Sequence, residues 1–543
     1  MRLGTIRLVF TVGTVLSEVS GRPTPVPRVH RDVATSQGAV RGYLVPDPPH
    51  FAYFGLPYAR PPTRRDRFKA PKPPPEWDGI FEAIHKIKCP QPNADGEENC
   101  LVVNVFAPEH SSSLPVLVFV HDGDFQNGWG AYQPPTMFLK ESFVIVTFNY
   151  RLGALGFLCL GITDAPGNAG LKDHIAALYW VHRNIAQFGG NPHDVTVYGT
   201  GAGAASVQLV LLSGLVKGLL RRVVLESGSV LSPSSLTYDP ISAAYDSAIA
   251  LGYEGTDDPN ELYTFYQETS AKNLADMPEM FLPCVDNMSD YVHSLIDFDP
   301  IQKLKEGNFH NVPMLITYTY KDKMSILGRD TERFEYPPDN FEYLLPNNLE
   351  FDNHKVKQRV GEIVKQFYFS EDFTRGNMAQ SYADYIHDIL TEYPIMKMAM
   401  LFAAKNTYSV YVMKFNVQKD SETSEESATP SFDTLLDYLY RDNVQNDDVI
   451  EEKLMVLWRN FMKFGDPTPL TTTLIPLIWQ PVPSNKETII DISEVPTLQF
   501  DTNLKMSVPS NNQRLLFWDN IYSRFYKPHI LEQEQSEDLD DND

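Results

Sequence analysis

The residues able to do chemistry gather around two short, glycine-rich turns. Gly199-Thr200-Gly201-Ala202-Gly203 follows an apolar run and opens an apolar helical one. It resembles a phosphate loop in its glycines. It lacks the G-x-x-x-x-G-K-[ST] lysine that would reach a phosphate, and it lacks dinucleotide spacing. The other turn, His121-Asp122-Gly123-Asp124-Phe125, follows the run Leu114–Val120. None of the thirteen histidines lies in HExxH, and no CxxC pair marks a zinc site. No metal and no cofactor is expected.

The elements that must position these turns are legible from hydropathy. Residues 101–106, 114–120, 143–148 and 194–198 are nearly continuous apolar runs, as strands buried on both faces require. Between the third and fourth, Leu171, Ile175, Leu178, Val181 and Ile185 repeat near a 3.6-residue period, predicting a helix within 168–188. A second helix is expected over 202–212. Alternating strand and helix predicts an α/β architecture with a mostly parallel sheet.

These blocks resemble the type-B carboxylesterase/cholinesterase family. FGLPYARPP (54–62), RFKAP (67–71), Trp77, the Cys100-anchored ENCLVVNVFAP ending at Pro108, NYRLGALGFL (149–158), the long block 167–199, WRNFMKFGDPTP (458–469) and Trp479 occur in the family's order. The resemblance spans about Gly42 to Tyr526. It implies an α/β-hydrolase fold: one domain with a large, mostly parallel, twisted central sheet flanked by helices, and a site at the base of a gorge.

The family's chemistry is acyl transfer by Ser, His and an acid, with the serine in G-x-S-x-G on a sharp strand-to-helix turn. Here Gly201 stands at the serine position. It cannot attack a carbonyl, and glycine tolerates a strained turn at least as well as serine. Thr200 is one residue early, and Ser206 is expected on the following helix, buried against the sheet. The block resembling the family's histidine segment, 429–440, has Phe432 at the histidine position, and no histidine occurs between His387 and His529. Asp322 lies near the acid position, after a strand-like run from Val312. The oxyanion pattern H-G-G-G-F reads His121-Asp122-Gly123-Asp124-Phe125, with Ala202 as the remaining donor position. A like charge about 4 Å from a forming oxyanion costs ~4 kcal/mol at an effective dielectric of about 20. Loss of a serine nucleophile or its histidine costs on the order of a million-fold in turnover in a model protease. Catalysis by the family mechanism is therefore not expected.

Four cysteines are present. Cys89 and Cys100 bound a polar loop and are expected to pair in an oxidising compartment; Cys159 and Cys284 read as buried free thiols, with a bridge between them left open. Asn287-Met288-Ser289 is a glycosylation sequon. Residues 1–21 read as a signal peptide, 22–35 as an extended lead-in, 36–527 as the carboxylesterase-like domain and 528–543 as an acidic tail; 419–430 form a polar loop. The formal net charge of -24 argues against nucleic acid as a partner. No run is long enough for a membrane span.

The expectation is a secreted, catalytically inactive protein resembling the glutactin-like adhesion members of the family. It would act through extracellular proteins, basic or matrix components, in matrix or basement membrane, with a homodimer left open. The alternatives are a small hydrophobic ligand binder using the residual gorge, which Trp129 and Phe432 would close or fill, and an ester hydrolase with relocated residues.

Overall fold

The computed structural model describes residues 29–131, 136–277, 279–286, 294–319, 339–369, 375–417, 435, 448–484, 490–501, 503–509 and 512–528. The expected signal peptide, the polar loop 419–430, Asn287, Asp322, Phe432 and all but the first residue of the acidic tail lie outside these residues.

The chain builds one large sheet. Its strands are β1 (His30–Ala34), β2 (Ala39–Pro46), β3 (Pro49–Pro57), β4 (Val102–Pro108), β5 (Leu114–Val120), β6 (Val144–Phe148), β7 (Gly190–Thr200), β8 (Arg222–Glu226), β9 (Met314–Thr319), β10 (Val410–Phe415), β11 (Thr497–Phe500) and β12 (Leu504–Ser507). Their order across the sheet is β1-β2-β3-β4-β6-β5-β7-β8-β9-β10-β11-β12, with the short strand Ile80–Glu82 alongside β2. The run from β6 to β11 is parallel. Both margins are antiparallel. The 101–106 run therefore forms a strand that is buried on both faces yet pairs antiparallel, with β3 and β6. β1 lies within the stretch read as an extended lead-in.

The apolar runs are continuous because the sheet has a core on each side. Along β5, Val116, Val118 and Val120 face one core, while Leu117 and Phe119 face the other. β6 divides likewise, with Val144, Val146 and Phe148 opposite Ile145. This is the two-residue period of a strand with no solvent face. Helices α1 (Ala169–Asn184), α2 (Ala202–Leu212) and α3 (Tyr393–Lys405) cover the first core; α4 (Asp448–Phe464) covers the second with Trp458 and Phe461.

Cys89 and Cys100 are joined, as expected. Cys159 and Cys284 are joined too, correcting the reading of these two as free thiols. The chain brings them together locally. Asn168, in the left-handed region at φ 56° before α1, clamps the backbone of Cys284: its Nδ2 donates to Cys284 O at 2.8 Å and its Oδ1 accepts from Cys284 N at 3.0 Å. A cross-link stabilises in proportion to the logarithm of the loop that it closes. The bridges span 11 and 125 residues. Replacing Cys159 and Cys284 with serine should therefore cost about 2 kcal/mol more than replacing Cys89 and Cys100. Urea midpoints of the two double variants, with matched m-values, check this order.

Candidate functional site

Strand register places the two glycine-rich turns against each other. β5 and β7 are adjacent and parallel, with Gly199 opposite Val120. Asp122 and Gly201 each lie two residues beyond that pair, where both strands give way to turns. At the end of β7 the chain reverses sharply into α2. Gly201 has φ 50° and ψ -118°, its N–H donates to Glu226 O at 2.8 Å, and its carbonyl accepts from Ala205 N at 3.1 Å. That conformation is costly for any residue with a Cβ. Close packing adds a second constraint nearby, since a Cβ on Gly203 would lie 2.5 Å from Val120 O.

The space that a side chain at 201 would take is filled. A Cβ built on Gly201 falls 2.1 Å from Asp122 Oδ1, 2.2 Å from its Cγ and 2.3 Å from Oδ2. The carboxylate is held there by the first amide of α2: Ala202 N donates to Asp122 Oδ1 at 2.7 Å. The backbone amide expected to meet an oxyanion thus already binds an anion of the protein's own. Asp122 as a residue is nonetheless exposed, so only one edge of its carboxylate is committed to the turn. Asp124 is exposed beside it at φ 52°.

The loop that delivers Asp122 is fixed from below. Positive φ values at Gly123, Asp124, Phe125 and Gly128 coil it tightly. Asn127 N and Gln126 N donate to Gly123 O at 3.0 and 2.9 Å, and Gly153 N donates to Phe125 O at 2.8 Å. His121 is buried and stacked on Tyr150 at 4.4 Å, and the Tyr150 hydroxyl donates to His121 O at 3.1 Å. His121 Nδ1 lies 2.7 Å from Asp122 O. A carbonyl only accepts, so Nδ1 holds the proton and Nε2 holds the lone pair. His174, on α1, packs tilted against Tyr150 at 4.4 Å and donates from Nδ1 to Gly170 O at 2.7 Å. Burial depresses both imidazoles, His121 to about 4 and His174 to about 3. They are neutral structural rings rather than bases poised near neutrality.

The remaining expected residues separate into several fates. Thr200 is buried as the last residue of β7, paired with Glu226. Ser206 is fully buried on α2, its hydroxyl donating to Ala202 O at 2.8 Å. Trp129 is half-buried with Lys88 Nζ 4.3 Å above its ring. Two features were missed in the sequence. One is the buried pair Tyr198–Glu226, whose hydroxyl–carboxylate contact is 2.5 Å, under the turn. The other is the seating of Asp122 itself. Its signal was the coincidence of an acid in the first turn with the loss of a side chain in the second.

Residues 30–518 match the model of the carboxylesterase family. The chain belongs to that family. It is 28% identical over 534 residues to a carboxylic ester hydrolase of Bombus ignitus, covering 90% of this chain and 94% of that one. It is 27% identical to neuroligin-3 of Mus musculus, covering 86% of this chain and 64% of that one. The crystal structure of juvenile hormone esterase from Manduca sexta, with OTFP covalently attached, superposes with a TM-score of 0.78 at 26% identity, over 91% of this chain and all of that one. The α/β-hydrolase fold expected from the sequence is thereby shown. Among the described residues no helix is long and apolar enough to cross a membrane.

Two outcomes follow. Gly201→Ser should destabilise the chain by roughly 1–3 kcal/mol through strained φ alone, with the carboxylate clash in addition. Adding Asp122→Gly should recover the clash and leave the strain, so the pair should be non-additive in a double-mutant cycle; additive denaturation energies would refute the contact. For the histidines, the folded values lie below the ordinary 6.5. The unfolded chain therefore takes up protons first, and these two rings withdraw stability as pH falls from about 6.5 towards 4. Ring C–H resonances of His121 and His174 that titrate near 6.5 in the folded protein would contradict this.

Proposed function

We propose that this carboxylesterase-family chain is non-catalytic and acts by protein–protein contact outside the cell, in the manner of the family's glutactin-like adhesion members. One observation supports the loss of catalysis above the others: Gly201 offers no nucleophile, and the Asp122 carboxylate takes the place of its side chain while consuming the Ala202 amide. An incoming ester would meet a negative charge where its own oxyanion must form, and that charge opposes the transition state. Phe432 at the histidine position leaves no general base, so Gly201→Ser alone restores nothing. The two disulfides suit an oxidising compartment. The net charge of -24 favours basic protein partners over nucleic acid.

The test is covalent. The full chain is incubated with a fluorophosphonate probe and assayed on a short-chain acyl ester, beside an active family esterase. No label and no turnover above buffer are expected. Stoichiometric labelling of any residue would sink the non-catalytic reading. The contact role is tested separately by coating beads with the chain and scoring their attachment to cells and to basement-membrane extract. Beads that attach no better than albumin-coated ones would sink that part.

A further inference from the structure

At the opposite, amino-terminal edge of the parallel strands lies a cavity of about 600 Å³. It is built by the turns that enter β7, β8, β9 and β10 and by the end of α4, far along the strands from Gly201. The volume falls within the range of small-molecule sites. We propose that this cavity binds a small aromatic anion, an aryl carboxylate or aryl sulfate.

The charge comes from consecutive arginines. Arg222 lines the cavity and is buried, its side chain 3% exposed; Nη1 lies 2.6 Å from Asp194 Oδ1 and Nη2 donates to Lys463 O at the end of α4. Arg221 lines it as well, but its side chain is 60% exposed and only 3.7 Å from the same Asp194 oxygen. One carboxylate between two guanidiniums leaves a positive charge over. Asp466 also lines the cavity, and its Oδ1 is engaged by Thr468 N at 2.8 Å. Lys217, in the turn before Arg221, stands close enough to act on His310. Of the residues lining the cavity, Arg221 and Arg222 are cationic and Asp466 is anionic, with Asp194 shared between the two guanidiniums, in a chain that is strongly acidic elsewhere. A guanidinium with free N–H groups engages two oxygens of a carboxylate or a tetrahedral oxyanion by paired hydrogen bonds.

The aromatic half of the ligand is read by Tyr408 and Phe464. Both line the cavity, and they are 53% and 66% exposed. His310 completes the wall and leaves Nε2 without a hydrogen-bond partner among the described residues. Burial depresses His310, and Lys217 presses in the same direction, so the ring contributes a neutral polar edge to the wall rather than a charge.

The probe is 1-anilinonaphthalene-8-sulfonate, with N-phenyl-1-naphthylamine as the same aromatic body lacking the anion. Fluorescence titration of the full chain should show one saturable sulfonate site that weakens with salt. Arg221→Glu, a surface change, should weaken it about tenfold or more with an unchanged urea midpoint. Tyr408→Ala should weaken it too. Equal binding of the uncharged amine, absence of a saturable site, or indifference to Arg221→Glu would overturn the proposal. So would loss of binding in Asp122→Asn, which would place the probe at the other edge of the sheet. None of these results depends on whether the chain labels with a fluorophosphonate.

Discussion

One hydrogen bond organises the centre of this molecule: the amide of Ala202 to the carboxylate of Asp122. It joins the first residue of a helix to a side chain from the neighbouring strand's turn. The helix amino terminus supplies partial positive charge and unsatisfied N–H groups, and a carboxylate is the natural occupant. A charge-assisted bond of this type is worth about 1.5–3 kcal/mol net. In an acyl-transfer enzyme that amide must stay vacant until the reaction charges its oxygen. Here the Asp122 carboxylate accepts from it.

The fold brings the two positions together, and the coiled loop after β5 aims the acid. Parallel pairing of β5 and β7 fixes Val120 opposite Gly199. Whatever follows each strand by two residues must then meet. A serine at one position and a small residue at the other leave room for substrate. A glycine and an aspartate close the same gap from within. The two departures are therefore one event in physical terms: the acid fits because the side chain is gone, and a restored side chain meets the acid at 2.1 Å. This is why the single exchange at 201 is a poor route back to chemistry, quite apart from the base.

Much of this was legible in the chain. The alternation of two cores along each strand made the runs at 114–120 and 143–148 continuous, and continuous runs are easily found. Helix α2 begins and ends where the sequence put it, since glycine and strand both stop at 201. Sheet order was less accessible. β4 follows β3 in the chain and pairs with it, but its other neighbour is β6, reached only after β5 has been laid on the far side. Hydropathy carries no record of that crossing. The bridge between Cys159 and Cys284 was hidden for a related reason: its halves are 125 residues apart and meet through Asn168, whose left-handed turn has no hydropathic signature. The direction of Asp122 depended on successive positive φ values at Gly123, Asp124 and Phe125, of which only the glycine announces itself.

The two edges of the sheet now differ in kind. At the carboxyl edge the protein satisfies its own donor with its own acid, beside a glycine that carries no side chain. Enzymes give up stability to keep such sites open. On the non-catalytic reading proposed above, the chain is released from that demand and free to settle, and the seated carboxylate is the form that settling takes. At the amino edge the balance runs the other way. Arg221 has too little acid near it, Tyr408 and Phe464 stand in water, and His310 lacks a partner. Left to stability alone, such groups would be paired or covered.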